Sequence, residues 1–489
     1  GGKIAAEENR MPQLFFTDLS TLRQSVTVDG VVHRLSVDEV AAAEKLNLVD
    51  GMPFILGDDD SYDHDLNRFF RACPTLGVRS PNSLRAYGWD ILILKSFLAD
   101  RRDLRALRAP DLHDVAAFHA ARRLALPPAR ISAASWNRSV AALDKLYRWA
   151  LEEGMIAKSP FTYRQSWRRT NGGGAIAVAA NVATERGART RDIRFLSLDR
   201  YLLFREIGLR GRLPDGSEDP TWQGRNSERN ALFAELLVTT GLRLQEAASL
   251  LWIEFPRTEP VGALRSRSFR LAPAIAKGSK GREIRLPERV LKRLHEYAAL
   301  ERTNVLMRLS QPRNRSIEHP IRVVSHDRGR LLLEKDTVRA SVDVLAPRER
   351  SRLVWAETSE PLCLWLAEGA RPMPPAAWEV VFRRASVRCR RFGIDLDVTP
   401  HMMRHTFAVH MLSLLVREQI GWVLDERRSH IGAAYRRLIG DPLLKLQRLL
   451  GHSRIESTHI YLDCMEESQE MIDAAVEAWE LRVNAGGPL

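Results

Sequence analysis

Through most of this chain apolar residues return every third or fourth position, and the leading expectation is helix. Leu84, Tyr87, Ile91, Leu94 and Leu98 form one such stripe, introduced by Ser80 as N-cap and Pro81 at the first helical position. Residues 110–123 and 135–151 predict two more helices; Val140, Leu143, Tyr147 and Ala150 make the stripe of the second, and Gly154 ends it. Farther on, Ser197 is another N-cap candidate, an apolar-faced helix over 232–239 stops at Gly241, and Leu244, Ala247, Ala248 and Leu251 repeat with helical spacing. Thr399 and Pro400 open a helix whose Met403, Phe407 and Met411 point into a core. Leu443, Leu446 and Leu450 supply a stripe that Gly451 terminates. Ser453 and Glu456 then have capping-box spacing, which predicts that a second helix starts at once and carries Tyr461 about two turns in. A last apolar face, Met471, Ile472, Ala475, Val476 and Trp479, predicts a helix near the C-terminus.

Strand patterns are few. β-formers flank Asp29-Gly30 over residues 25–32 and predict a hairpin, followed by a short helix over 36–48. Residues 274–287 read as two short strands around a Gly-Ser turn. Asp58-Asp59-Asp60 reads as a solvated turn, because nothing beside it has metal-ligand spacing. Periodicity breaks between Tyr163 and Arg194, where Arg164, Trp167, Arg168 and Arg169 precede Asn171-Gly172-Gly173-Gly174 and then Arg186, Arg189 and Arg191; the expectation is a flexible basic linker.

At 489 residues the chain has room for two to four domains of about 150 residues each. Its 74 Lys and Arg against 61 Asp and Glu leave a net charge of +13, which points to a polyanionic partner, nucleic acid before membrane. Arg85, Lys95, Arg138, Lys145 and Arg148 punctuate the N-terminal helices and together suit one side of a duplex. Cys73, Cys363, Cys389 and Cys464 lie far apart with no C-x-x-C pair, which argues against a zinc site or disulfide framework and fits a reducing cytosol. No apolar run approaches the ~20 residues that span a bilayer, so no membrane partner is expected. Gly1-Gly2 without an initiator Met looks like a processed or expression-derived start.

Four stretches carry candidate chemistry. In Thr240-Gly241-Leu242-Arg243-Leu244-Gln245-Glu246, Arg243 stands at a helix N-terminus, where a planar guanidinium and the helix dipole both favour a phosphate, and Glu246 can hold a guanidinium in place. Lys277, with Lys280 as rival, sits near a turn and can protonate a leaving alkoxide. His401 and Arg404 share a helix face at i and i+3, while His405 and His410 read as packing or hydrogen-bonding histidines. In Leu450-Gly451-His452-Ser453-Arg454, the corner aims His452 toward the space that Tyr461 enters. Taken singly, Arg243 with Glu246 is an ordinary surface pair and Lys277 a solvated lysine; the ordered set Arg243, Lys277, His401, Arg404, His452, Tyr461 is specific.

That set, with the Trp136–Pro160 stretch upstream, resembles the tyrosine recombinases, the phage-integrase and Xer-like family. The resemblance covers about residues 65–480, apart from the linker and two apparent inserts near 303–358 and 414–438. It implies a mainly α protein with a small β component: an N-terminal accessory region (1–64), an α-helical core-binding domain (65–165), a basic linker (166–195) and a mixed α/β catalytic domain (196–489). It implies a site-specific recombinase that cuts double-stranded DNA through a 3′-phosphotyrosine at Tyr461, without metal or ATP. Arg243 and Arg404 would neutralise the phosphate, His452 would donate to it, Lys277 would protonate the 5′ oxygen and His401 would assist proton transfer at Tyr461. The expected setting is a bacterial cytoplasm and a mobile element, with a tetramer of two dimers on DNA joined through the C-terminal helix, and accessory proteins. Two alternatives stay open: a type IB topoisomerase-like nicking-closing enzyme, and a catalytically silent DNA-binding regulator.

Overall fold

The computed structural model describes residues 12–18, 26–28, 31–36, 38–40, 42, 50–101, 111–169, 175–185, 193–256, 266–308, 317, 319–334, 339–424, 441–465 and 476. The chain divides into two compact units, Gly1–Arg191 and Asp192–Leu489.

In the first unit, β1 (Gln13–Phe16) pairs antiparallel with β4 (Pro53–Leu56), while β2 (Val26–Val28) and β3 (Val31–His33) form the hairpin expected around Asp29-Gly30. Among the described residues four α-helices follow: α1 (His64–Ala72), α2 (Pro81–Arg101), α3 (Leu112–His119) and α4 (Ala133–Glu152). Asp63, Asp111 and Ser132 cap α1, α3 and α4 by accepting from backbone N–H groups of the first turn. Phe69, Phe70, Leu84, Ile91, Trp136, Val140, Leu143 and Tyr147 fill the core between the helices.

Several basic residues on these helices serve the fold. Buried Asp90 accepts twice from Arg138, at 3.1 Å each, and once from the Ser139 hydroxyl at 2.7 Å. Lys95 pairs with the capping Asp63 at 2.6 Å, and Lys145 donates to the Leu76 carbonyl at 2.9 Å. All three have partners within the unit, and the Arg138 side chain is still 54% exposed. Arg148 bonds Asp144 at 2.9 Å beneath the Tyr163 ring, and Arg85 lies over the Phe16 ring. Arg164 is exposed.

The stretch expected to be a flexible linker is instead partly ordered: β5 (Tyr163–Arg169) and β6 (Ala175–Asn181) pair antiparallel over seven residues. Arg168 and Arg169 take part in that backbone pairing opposite Ile176 and Ala175. The Gly-rich segment between the strands made the region look like a tether, but the alternation through Ile176 and Val178 fits a pleated ribbon. Asn181 caps the arrangement by donating to Asp144 at 2.8 Å.

The second unit begins with α5 (Leu198–Leu203), capped by Ser197, and α6 (Ser227–Thr240), which ends at Gly241 in the left-handed conformation. Next come α7 (Leu244–Ala248), the antiparallel pair β7 (Ser266–Leu271) and β8 (Arg282–Pro287), and α8 (Glu288–Tyr297). The first apparent insert is a small sheet in the order β11-β10-β9-β12: β9 (Ile321–Asp327), β10 (Arg330–Leu333), β11 (Ala340–Ser341) and β12 (Leu353–Trp355). Val323, Leu331, Val342 and Leu353 give it a core shared with Leu251, Cys363 and Leu366. Arg350, completely buried, fastens this sheet by pairing with Glu254 through two bonds of 2.8 and 2.9 Å and by donating to the carbonyls of Ser249, Val342 and Leu345.

Helices α9 (Pro375–Arg391), α10 (Pro400–Leu424), α11 (Pro442–Leu450) and α12 (Glu456–His459) complete the described unit. Its main core is aromatic: Phe233 stacks on Trp378 at 3.6 Å, with Trp365 and Phe382 edge-on. A second cluster joins Phe407, Ala408, Leu412, Leu446 and Leu450 to Tyr461. The mainly α architecture with small sheets is the expected class. Residues 414–424 of the second apparent insert continue α10, and 425–440 lie outside the described residues. The expected C-terminal helix also lies outside them, Val476 excepted.

Candidate active site

Arg243 is the N-cap of α7, and its position follows from Gly241, whose φ of 65° turns the chain out of α6. The Arg243 backbone N–H donates to Glu246 Oε2 at 2.9 Å and its guanidinium to Oε1 at 2.9 Å. Glu246 is 1% exposed and holds a second arginine as well: Arg282 donates to Oε1 at 3.0 Å and to Oε2 at 2.6 Å. Burial alone would raise the Glu246 pKa. The hydrogen bonds and charge of Arg282, with those of Arg243, outweigh it and hold the carboxyl at about 2.

Sequence reasoning missed Arg282, although its signal was present. Along β8 the inward positions are Arg282, Ile284 and Leu286, so the guanidinium lies on the face that carries the core residues. Its Nε donates to the Leu449 carbonyl at 3.2 Å, which ties β8 to the corner after α11.

Arg404, 2% exposed on α10, bridges the same two corners. It donates to the Gly241 carbonyl, and to the Leu450 carbonyl at 2.7 Å. Burial first, then the charge of Arg243, pulls its pKa down to about 9, so it remains a cation at neutral pH. Thr399 caps α10 as expected, accepting from the Met402 N–H at 3.3 Å.

Gly451, with φ of 65°, turns the chain so that His452 Nδ1 lies 2.9 Å from the Thr458 hydroxyl. Burial, then the charges of Arg404, Arg243 and Arg282, pushes the His452 pKa down to about 3. The imidazole is neutral, and when Thr458 donates to Nδ1 the proton resides on Nε2, available to an incoming oxygen.

The segment after His452 differs from expectation. Ser453 makes no cap; α12 is a single turn led by Ile455, and Tyr461 sits between that turn and a 3-10 turn, Leu462–Cys464. The hydroxyl of Thr458, within that single turn, is the partner of His452. Tyr461 is 2% exposed, its ring parallel to that of His452 with centroids 6.3 Å apart, and its hydroxyl lies 3.1 Å from His405 Nδ1. His401 is exposed on the same helix, its ring edge-on to His405 at 4.4 Å. His410 bonds the Leu196 carbonyl at 2.9 Å.

Lys277 and Lys280 lie on the exposed loop between β7 and β8. Residues 274–276, expected as a strand, instead join a 3-10 turn, Pro273–Ile275, and a second turn follows, Lys277–Ser279. Pro273 has no N–H for a ladder, and Gly278 and Ser279 both take positive φ. Neither lysine side chain makes an ion pair or hydrogen bond among the described residues. The structure thus gathers Arg243, Arg404, His452 and Tyr461 with Glu246 and the unforeseen Arg282, sets His401 one ring away, and leaves Lys277 five positions ahead of Arg282. Among the described residues no group of His, Cys, Asp and Glu has metal-holding geometry, and no helix is long and apolar enough to cross a membrane.

Comparison with known proteins gives two family matches: the phage integrase N-terminal SAM-like domain over residues 66–154, and the phage integrase family over 218–416. The second match includes Arg243, Lys277, His401 and Arg404 and ends before His452 and Tyr461. The chain is 25% identical over 394 residues to tyrosine recombinase XerD of Agrobacterium fabrum, covering 80% of this chain and 87% of that protein. It is 25% identical over 384 residues to XerD of Mycobacterium leprae, covering 78% and 86%. A solved structure of the XerH site-specific recombinase bound to palindromic difH substrate is similar over 86% of both chains, at 14% identity and a TM-score of 0.47. The chain belongs to the phage-integrase family of tyrosine recombinases, enzymes that cleave and rejoin DNA strands.

Proposed function

We propose that this protein carries out site-specific recombination of double-stranded DNA through a 3′-phosphotyrosine at Tyr461, in the service of a mobile element. The observation that carries the reading is the convergence of three guanidiniums, Arg243, Arg282 and Arg404, beside one buried tyrosine. Such a cationic hollow stabilises the charge that gathers on non-bridging oxygens as a phosphodiester becomes pentavalent. In the cleavage step the Tyr461 oxygen bonds to phosphorus and the bond to the 5′ oxygen breaks. Neutral His452 donates to a phosphate oxygen, and Lys277, exposed on its loop, gives the leaving oxygen a proton. A 5′-hydroxyl from a second strand reverses the step, so the ester conserves the bond energy and no ATP or metal is consumed. The N-terminal unit would lie on the duplex, with Arg85, Arg148, Arg164 and the β5 arginines Arg168 and Arg169 as its contacts. Assembly as a tetramer of two dimers through the C-terminal helix belongs to the same proposal.

The test is covalent capture from a randomised pool of nicked duplexes, in which loss of the short fragment beside the nick traps the adduct. Wild-type protein is expected to give a denaturation-stable adduct and Tyr461→Phe none. An adduct that persists in the Phe variant would reject the assignment.

A further inference from the structure

The hydroxyl of Tyr461 has a defined hydrogen-bond partner, and it is the histidine immediately after Arg404. His405 Nδ1 lies 3.1 Å from that oxygen, within the reach required of a general base, and the two rings are 5.7 Å apart. Helix α10 fixes the contact from one side and the turn that ends in Tyr461 N→Thr458 O, 3.1 Å, from the other. A phenol ordinarily ionises near 10 and an imidazole near 6.5, so at neutral pH the imidazole can receive the proton that the phenol must lose as it attacks.

We propose that His405 is the proton acceptor for Tyr461. The inference rests on the reading of Tyr461 as nucleophile. As the Tyr461 oxygen bonds to phosphorus, its proton passes to His405 Nδ1, which becomes imidazolium; the 5′ oxygen departs with the electron pair of the broken P–O bond and takes a proton from Lys277. In rejoining, the incoming 5′-hydroxyl gives its proton back to the neutral Lys277 amine as its oxygen bonds to phosphorus, the bond from phosphorus to the Tyr461 oxygen breaks, and His405 returns its proton to that oxygen. The groups facing this pair are His401 and Arg404 on α10 and His452 after α11; behind them Arg243, Glu246 and Arg282 act on Arg404, and Arg243 and Arg282 on His452. The phosphate that arrives among them supplies the negative charge that favours an imidazolium.

The experiment uses the full chain and one nicked duplex that wild type has captured. Single-turnover adduct formation is measured between pH 6 and 8.5 for wild type, His405→Ala, His405→Asn and His401→Ala, with DNA affinity and thermal unfolding recorded for each. Both His405 variants are expected to bind DNA as wild type does and to form adduct about 100-fold or more slowly at pH 7. Their rates should rise about tenfold per pH unit as tyrosinate becomes available. Asn can hold the hydroxyl but cannot take its proton, so near-wild-type cleavage by His405→Asn would overturn the proposal. So would a loss in His405→Ala that pH does not relieve, or a pH-relieved loss in His401→Ala alone. Absence of adduct from wild type, by contrast, would strike at Tyr461 as nucleophile.

Discussion

Glu246→Gln is the perturbation whose size follows most directly from the structure. The carboxylate accepts four hydrogen bonds, three from the guanidiniums of Arg243 and Arg282 and one from the Arg243 backbone, and it is 1% exposed. Glutamine keeps the shape but removes the charge, leaving two guanidiniums beside each other and near buried Arg404. Holding a carboxyl at about 2 instead of 4.5 corresponds to about 3 kcal/mol at neutral pH. Breaking a buried pair by removing one partner costs about 3–5 kcal/mol by an independent route. In a unit this large 1 kcal/mol moves the melting temperature by about 2 °C, so the expected loss is about 6–10 °C at pH 7. The sign with pH is fixed. A depressed carboxyl pKa stabilises fully above its unfolded value, and the contribution fades as pH falls from 4.5 towards 2. The gap between wild type and Glu246→Gln should therefore close in acid. Adding Arg282→Met to Glu246→Gln should recover part of the loss by removing the stranded charge. Urea or thermal unfolding reads all three. A Glu246→Gln protein within about 0.5 kcal/mol of wild type at pH 7, the size of an ordinary surface change, would refute the reasoning.

Other expectations are as direct. Gly241→Ala adds a carbon 2.4 Å from the Phe407 ring at a φ of 65° and should cost about 2–4 kcal/mol by unfolding, from backbone strain and overpacking together. Arg350→Met strands the Glu254 carboxylate, whose side chain is 7% exposed, and should destabilise by about 3–5 kcal/mol, seen as faster proteolysis of the β9–β12 sheet; Arg350→Met with Glu254→Gln should fare better than the single variant. Histidine-selective NMR should find His452 neutral throughout pH 5–8, because its pKa lies at about 3; a midpoint inside that window would contradict the buried, cation-flanked site. Lys277→Ala should slow cleavage of an ordinary phosphodiester by about 100-fold or more, but not of a substrate with sulfur at the 5′ bridging position, which leaves without a proton.

What the sequence revealed was whatever local rules decide. Gly241 and Gly451 marked the two helix ends, and Thr399-Pro400 marked a helix start, because caps depend on a few neighbouring residues. The stripes Leu84, Ile91, Leu94, Leu98 and Val140, Leu143, Tyr147, Ala150 are buried, as helical spacing of apolar residues requires, with Tyr87 half-buried. Arg282 was overlooked because charge masked its place in a two-residue alternation that Ile284 and Leu286 complete. The β5–β6 ribbon was misjudged because glycine and arginine weighed more than the modest apolar alternation of Ile176 and Val178. The helix expected to carry Tyr461 is a single turn followed by a 3-10 turn, and its Thr458 hydroxyl bonds His452, a contact no linear pattern contains. His405 read as a hydrogen-bonding histidine; that its partner is Tyr461 needs the fold.

Arg404 has a consequence for anyone seeking an inert version of this enzyme. Its guanidinium spans the carbonyls of Gly241 and Leu450, so the corners that present Arg243 and His452 lean on one side chain. On the proposed function, replacing it would remove a phosphate-binding cation and unhinge the scaffold in one stroke, and no assay of turnover would tell the two injuries apart. A decoy intended to occupy DNA without cutting it is better built at the phenol, where one oxygen can be deleted while the masonry around it stays upright.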